Sequence, residues 1–276
     1  MSAKVKETVV EEVDRVKGLS RDAARSGAYL YPLKGIAYFV AHRSLWKPLL
    51  SKLGPTITLT VGVFTFMFVF AYFPQAAVLS IFNGPLAVFS TVLLTLSESS
   101  TLATVLSKTF LIEDALVDTF DGTLLARNMT NIVSEGRQVK AGGDPIAKLG
   151  KLVKTPFAKF TPKAIIRYFI YLPLNFIPVV GTIIFLVLQG RRTGPFAHAR
   201  YFQLKGWPES EKASYVHQHQ AAYTSFGLVA TLLELVPVAS IFFAFTNTVG
   251  AALWAADIER ENTTASNLRE DAAKAK

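Results

Sequence analysis

The sequence predicts an all-α integral membrane protein made of helical hairpins: two transmembrane helices, two proline-broken re-entrant hairpins and amphipathic helices at the interface. Three observations predict it. Charge is scarce, at 18% of 276 residues against 51% hydrophobic, where a soluble domain carries about 25%. The charge also leaves long gaps. No Asp, Glu, Lys or Arg occurs in the 45 residues Leu53 to Ser97, the 23 from Tyr168 to Gly190 or the 22 from Leu235 to Ala256. About 20 apolar residues suffice to cross a bilayer. Finally, the two later gaps share one layout. In LNFIPVVGTIIF (Leu174 to Phe185) and LELVPVASIFF (Leu233 to Phe243), Asn175 and Glu234 stand three residues before Pro178 and Pro237, and Gly181 and Ser240 three after.

Three regions follow from this patterning: a polar segment at 1–27, one membrane-embedded domain at 28–259 and a polar tail at 260–276. The first segment mixes Glu7, Glu11, Glu12 and Asp14 with Lys4, Lys6, Arg15 and Lys17. It has no signal-peptide core and is too acidic for a transit peptide, so targeting falls to the internal apolar segments. Val5, Val9, Val13 and Val16 at helical spacing suit a short amphipathic helix.

Ala28 to Leu50 is apolar and aromatic but carries Lys34, His42, Arg43 and Lys47. That mixture predicts a helix lying among lipid headgroups; a soluble helix packed on a neighbouring loop is the alternative. Leu53 to Ser97 has room for two crossings, with uncharged turns expected at Phe73-Pro74-Gln75 and Asn83-Gly84-Pro85. Ile112 to Val133 is amphipathic. Ile112, Leu116, Phe120, Leu125, Met129 and Ile132 mark one side, and Asp114, Asp118, Asp121, Arg127 and Glu135 the other. Ala141 to Pro145 reads as a loop. Lys148 to Arg167 is basic with interleaved apolar residues, but Pro156 and Pro162 forbid one straight helix.

A proline within an apolar run removes a backbone donor, and the freed carbonyls need partners that lipid cannot supply. A re-entrant hairpin turning at Pro178 and another at Pro237 would meet that need, because proline suits the first turn of the outgoing helix. Asn175, Pro178, Gly181, Glu234, Pro237 and Ser240 are therefore the candidate hairpin-turn or pathway residues. Kinked single spans are the alternative. The polar segments are net basic, so hairpins throughout would place them all on the cytosolic face. Gly250, Ala251, Ala252 and Ala255 allow close helix contact.

The charge and site inventory excludes several classes. Eight basic residues against Asp144 alone lie between Arg137 and Arg167. Beside an apolar segment such a block faces anionic headgroups, and no reader module points to nucleic acid. With no cysteine, neither disulfides nor thiol chemistry operate. The four histidines (His42, His198, His217 and His219) cannot build a multi-histidine metal cluster. His217-Gln218-His219 has no clustered Cys or carboxylates to complete a site and reads as a wet loop. There is no G-x-S-x-G elbow and no phosphate loop. The expectation is no enzyme, no cofactor and no metal.

Two stretches carry a resemblance. Leu33 to Leu50 (LKGIAYFVAHRSLWKPLL) and Gly227 to Glu259 (GLVATLLELVPVASIFFAFTNTVGAALWAADIE) resemble the entry and the end of a fungal family of outer-spore-wall or lipid-droplet-associated sporulation membrane proteins. More remotely, the order of hydrophobic blocks is similar to the etoposide-induced membrane proteins and the bacterial sulfate permease CysZ. Leu174 to Gly181 resembles the permease's Pro-Gly hairpin, and Glu234 departs from what an anion path would want. The resemblance implies a non-enzymatic protein of the endoplasmic reticulum or lipid droplets that organises lipid and serves spore-wall assembly, with self-association possible. The alternative it implies is a permease for sulfate or another small anion.

Overall fold

The computed structural model describes residues 21–152, 180–236 and 239–274. After a 3-10 turn at Ala28–Leu30, helix α1 runs Tyr31–Ala41 with Pro32 in its first turn. A 3-10 turn at Arg43–Leu45 leads into α2, Trp46–Phe70. Helix α3 spans Tyr72–Asn83 and α4 spans Ala87–Leu106, which widens into a π-helical turn at Ser107–Leu111. Beyond them lie α5 (Glu113–Ala126), α6 (Thr130–Ser134), strand β1 (Arg137–Val139) and strand β2 (Leu149–Leu152). The second half comprises α7 (Val180–Ala197), α8 (Ala199–Leu204), α9 (Glu209–Gln218), α10 (Gln220–Glu234) and α11 (Ser240–Lys274).

The first apolar block folds as one antiparallel hairpin. Pro74 has no N–H and crowds the carbonyl four residues back, so α2 stops at Phe70. The helical bonds nevertheless continue through Ala71 (Ala71 N to Met67 O, 2.8 Å; Gln75 N to Ala71 O, 3.2 Å), making α3 a kinked extension of α2. The expected turn at Phe73-Pro74-Gln75 is thus a kink, and the chain reverses only at Asn83-Gly84-Pro85. Gly84 has φ 53° and ψ −135°, a conformation that side chains exclude. Between the arms, Asn83 donates to Ser90 (3.4 Å), Gln75 to Glu98 (2.5 Å) and Thr95 to Gln75 (3.0 Å). The outward face is apolar and bare: Phe66, Phe70, Phe73, Ile81, Phe89 and Leu93 are all more than half exposed.

The second half packs on itself instead. Ala251, Ala252, Ala255 and Ala256 are fully buried, and the small residues named from the sequence do serve packing. A Cβ added at Gly35 would collide with the Thr246 carbonyl, and one at Gly250 with the Tyr31 carbonyl, so α1 and α11 cross backbone to backbone. Helix α1 therefore has one face against α11, while Leu33 and Val40 on its outside are exposed. A second tight crossing joins α7 to α10. There a Cβ at Gly227 would strike the Gly190 carbonyl, and one at Gly194 the Tyr223 carbonyl.

Two apolar clusters share α11. One gathers Phe120, Tyr201, Phe202, Tyr223, Phe226 and Trp254; the other gathers Phe39, Leu45, Ile112, Phe245 and Val249. Strands β1 and β2 pair antiparallel, a small departure from the all-helical expectation. Lys47 at the start of α2 pairs with Asp144 in the loop between the strands.

Among the described residues, three helical stretches are long and apolar enough to cross a membrane: Arg43–Phe70, Gly84–Leu111 and Ser240–Thr264. The polar region from 260 onward continues α11 as helix to Lys274. Residues 1–20, with the valine-spaced segment, lie outside the described residues, as do Lys154, Lys159, Lys163 and Arg167 of the basic block.

Candidate functional site

Of the six hairpin-turn residues named from the sequence, Asn175, Pro178 and Pro237 lie outside the described residues. Gly181 falls in the first turn of α7, whose helix begins at Val180. Glu234 closes α10, and Ser240 opens α11 as a buried residue. These last two meet the same face of α4 and its π-helical extension, one turn apart. The Ser240 hydroxyl lies 3.5 Å from that of Thr104, and the Glu234 carboxylate accepts from Lys108 Nζ at 2.5 Å. Glu234 is therefore held as half of an ion pair.

Asn247 completes the group. Its Nδ2 donates to Glu234 Oε1 (2.9 Å) and to the Ala230 carbonyl (3.1 Å), which fixes the amide's orientation and leaves Oδ1 buried without a partner among the described residues. Around this group opens a pocket of about 220 Å³. Val117, Phe120, Phe226, Ala230 and Ala244 form apolar walls, Phe196 stands at an exposed position, and Lys108, Glu234, Asn247, Thr248, Thr193 and Arg200 supply polar atoms.

Arg200 is itself held. It makes a fork to Asp121 (Nε to Oδ1, 2.9 Å; Nη2 to Oδ2, 2.7 Å), and its Nη1 donates to Gln203 at 2.6 Å. Arg137 reaches the same network from β1, donating to Asp121 (3.3 Å), Asp118 (2.6 Å) and the Gly150 carbonyl (3.0 Å). Burial raises the Asp121 carboxyl above the usual carboxylate range, while the hydrogen bonds and charge of Arg200 pull it back. Two expectations are corrected here. Asp121 belongs by sequence to the polar side of its helix, yet it is fully buried, because two guanidiniums replace its water. Arg137 is buried among the same groups, so it is not among the cations that face headgroups.

His198 is fully buried. Its Nε2–H donates to the Ala251 carbonyl (2.9 Å), which can only accept, so Nδ1 takes the hydrogen bond from the Tyr223 hydroxyl (2.9 Å). Burial pushes this imidazole down to about 4. His217 and His219 are both exposed; His217 lies in the last turn of α9 rather than in the loop expected, and His219 in the turn between α9 and α10.

The elements that build this pocket are also those that comparison with known proteins picks out. A family described as "Sulfate transporter CysZ/Etoposide-induced protein 2.4" matches residues 31–244, from the start of α1 into α11. The chain belongs to this family. The CysZ/etoposide-induced match thus takes in the bare hairpin and the whole of α7 and α10, and it stops just before Asn247 and Thr248.

Two relatives of Saccharomyces cerevisiae are also similar. Outer spore wall protein LDS1 is 23% identical over 248 residues, 86% of this chain and 72% of the relative. Outer spore wall protein RRT8 is 24% identical over 256 residues, 86% and 74%. Both resemblances read from the sequence are borne out.

Sequence reasoning missed Lys108, Asn247, Arg200 and Asp121. A signal existed for two of them. Lys108 is the first basic residue after the uncharged 53–97 run, and Asn247 is the one amide inside the last apolar block. Nothing in the spacing joins Asp121 to Arg200, 79 positions apart.

Proposed function

We propose that the chain is a non-enzymatic membrane protein that organises lipid at the endoplasmic reticulum or lipid droplets and thereby supports outer spore-wall assembly. The observation that carries this reading over anion transport is the state of the pocket's cations. Lys108 faces Glu234 and Arg200 faces Asp121, so each positive group in the wall already has a carboxylate. A path for sulfate needs cationic attraction left over for the substrate. The spore-wall part of the proposal comes from the two yeast relatives, both outer spore wall proteins.

The depth of the elements supports a re-entrant second hairpin. Twenty residues of α4 and its leading turn separate Gly84 from Thr104, about 30 Å at 1.5 Å per residue. That equals the hydrocarbon thickness of a bilayer. With the Gly84 turn at the far headgroups, the α10–α11 junction at Ser240 enters only the near edge. The same depth suits a droplet surface or a bilayer. On the near side Lys140 and Lys151 of the strand pair are exposed toward solvent and would meet anionic headgroups. Self-association through the bare α2–α4 hairpin fits the same arrangement.

Purified protein in liposomes tests the choice of class. The lipid-organising reading expects no saturable sulfate uptake, and expects a tagged copy to move to droplets when cells store lipid. Saturable uptake abolished by Gly181→Leu would replace it with the permease reading.

A further inference from the structure

Four helices meet around the pocket beside Glu234: Leu116 stands on α5, Phe196 and Ala197 on α7, Ala230 on α10 and Ala244 on α11. Its wall is apolar, and its polar side chains are engaged within the protein. Lys108 and Glu234 form an ion pair, a unit with no net charge that selects neither an anion nor a cation. Arg200 forks to Asp121, and the Thr248 hydroxyl donates to the Ala244 carbonyl (2.8 Å). Asn247 uses Nδ2 on Glu234 and the Ala230 carbonyl, and its Oδ1 is sealed from any entering group. Water settles in a pocket only where about two to four polar partners receive it. An apolar cavity of about 150 Å³ stays dry and takes up hydrocarbon, and this pocket measures about 220 Å³. It is smaller than the roughly 300–1,000 Å³ that encloses a drug-sized molecule. A slender apolar chain fits it, and a whole lipid does not.

We propose that this pocket holds the end of one unbranched acyl chain, drawn from a membrane phospholipid or from stored neutral lipid. The proposal rests on the lipid-organising reading and names the part of the lipid that the protein grips. The approach to the pocket suits such a ligand. Phe196 at the pocket is exposed, and so are Val187 and Leu188 on the same helix and Leu232 and Leu235 around the end of α10. Exposed apolar side chains in such number mark a surface for lipid or another apolar partner. A chain entering past Phe196 brings neither donor nor acceptor, so it asks nothing of polar groups that are already engaged.

Photolabelling of the full chain tests this, with the light-induced adducts mapped by mass spectrometry. One arm uses phosphatidylcholine vesicles containing a phosphatidylcholine with a diazirine near its acyl terminus. The other uses phosphatidylcholine-coated triolein droplets containing a triacylglycerol labelled in the same way. Adducts are expected in at least one arm at Leu116, Ala197 and Thr248, which line the pocket and are half-buried. The exposed Phe66, Ile81 and Phe89 of the bare hairpin serve as the control for bulk lipid. The arm that labels the pocket identifies the source of the chain. Thr193→Phe from α7 and Thr248→Phe from α11 fill the pocket from half-buried positions. Each should cut the Leu116 and Ala197 adducts at least tenfold while the hairpin adducts persist. Circular dichroism checks each variant; if one fails to fold the other carries the comparison, and if both fail the wild-type map decides. No pocket adduct in either arm, or undiminished adducts in a folded filling variant, overturns the assignment. Either result leaves the lipid-organising reading standing, since that reading falls to saturable sulfate uptake in liposomes instead.

Discussion

The α2–α4 hairpin and the α10–α11 pair are both apolar, yet they solve opposite problems. In the two long apolar stretches of the hairpin only 11% (Arg43–Phe70) and 28% (Gly84–Leu111) of the most apolar part is buried inside the protein, against 67% in Ser240–Thr264. So apolar a hairpin suits lipid as its solvent and then needs few protein neighbours. Helix α11 has protein for a solvent and is wrapped by α1, α5 and α10. Their glycines show the same division. Among the described residues a Cβ at Gly54 or Gly62 of α2 meets nothing within 4 Å, while one at Gly35, Gly227 or Gly250 collides with backbone. Similar hydropathy therefore serves two different functions, and the difference lies in what surrounds each helix.

The sharpest way to break the comparison is to attack the charges that only the packed half can hold. Asp121→Ala removes the carboxylate that the buried Arg200 forks to and leaves the buried Arg137 with Asp118 and the Gly150 carbonyl. Removing one member of such a buried group costs about 3–5 kcal/mol. Thermal unfolding in detergent should show a large drop, while Glu98→Gln in the hairpin, which keeps a partner for Gln75, should shift the midpoint far less. Comparable losses from both would dissolve the distinction.

Acid should separate the halves next. His198 is neutral in the fold with its pKa held down to about 4, and an unfolded histidine titrates near 6.5. The folded value is the lower one, so the stabilisation is fully present above about pH 6.5 and is lost as pH falls toward 4. The span corresponds to about 3 kcal/mol. Tertiary signals from Trp254, which packs on His198, should fade over that window, and His198→Gln should flatten the dependence. A midpoint unchanged from pH 7 to pH 4 would remove His198 from this account.

Glycine substitutions give a smaller and more local contrast. Gly227→Ala should destabilise by about 1–3 kcal/mol through overpacking at the α7 crossing. Gly62→Ala should be neutral or slightly stabilising, because a helical alanine replaces glycine with open space around it. Equal effects in melting experiments would mean that α2 also packs on a partner. Smallest of all is a null mass shift. The sequons at Asn128 and Asn262 should carry no glycan in the secretory pathway if both apolar pairs return to the cytosolic face; glycosylation at either would place a loop on the far side.

Much of the first hairpin was legible because lipid imposes a crude rule: remove charge for long enough and a helix crosses. The reversal at Asn83-Gly84-Pro85 was readable for a local reason, the backbone freedom of Gly84. Pro74 was misread as a turn, since a proline early in a new helix bends the chain without reversing it. The site was half legible. Glu234 stood out as a carboxylate in apolar surroundings, but its partner Lys108 is 126 positions away.

By itself the sequence determined the class of molecule, the limits of its apolar blocks, the packing use of the small residues around Gly250, and the family. These are properties of composition and of neighbours within a few positions, where hydropathy and backbone sterics act directly. Tertiary structure alone decided which apolar helix is bare and which is wrapped, that Asp121 and Arg137 are interior, and that Glu234 meets Lys108 and Asn247. Each depends on two distant segments arriving at one place. Burial and charge pairing are energies of that meeting, and they belong to neither segment before it occurs.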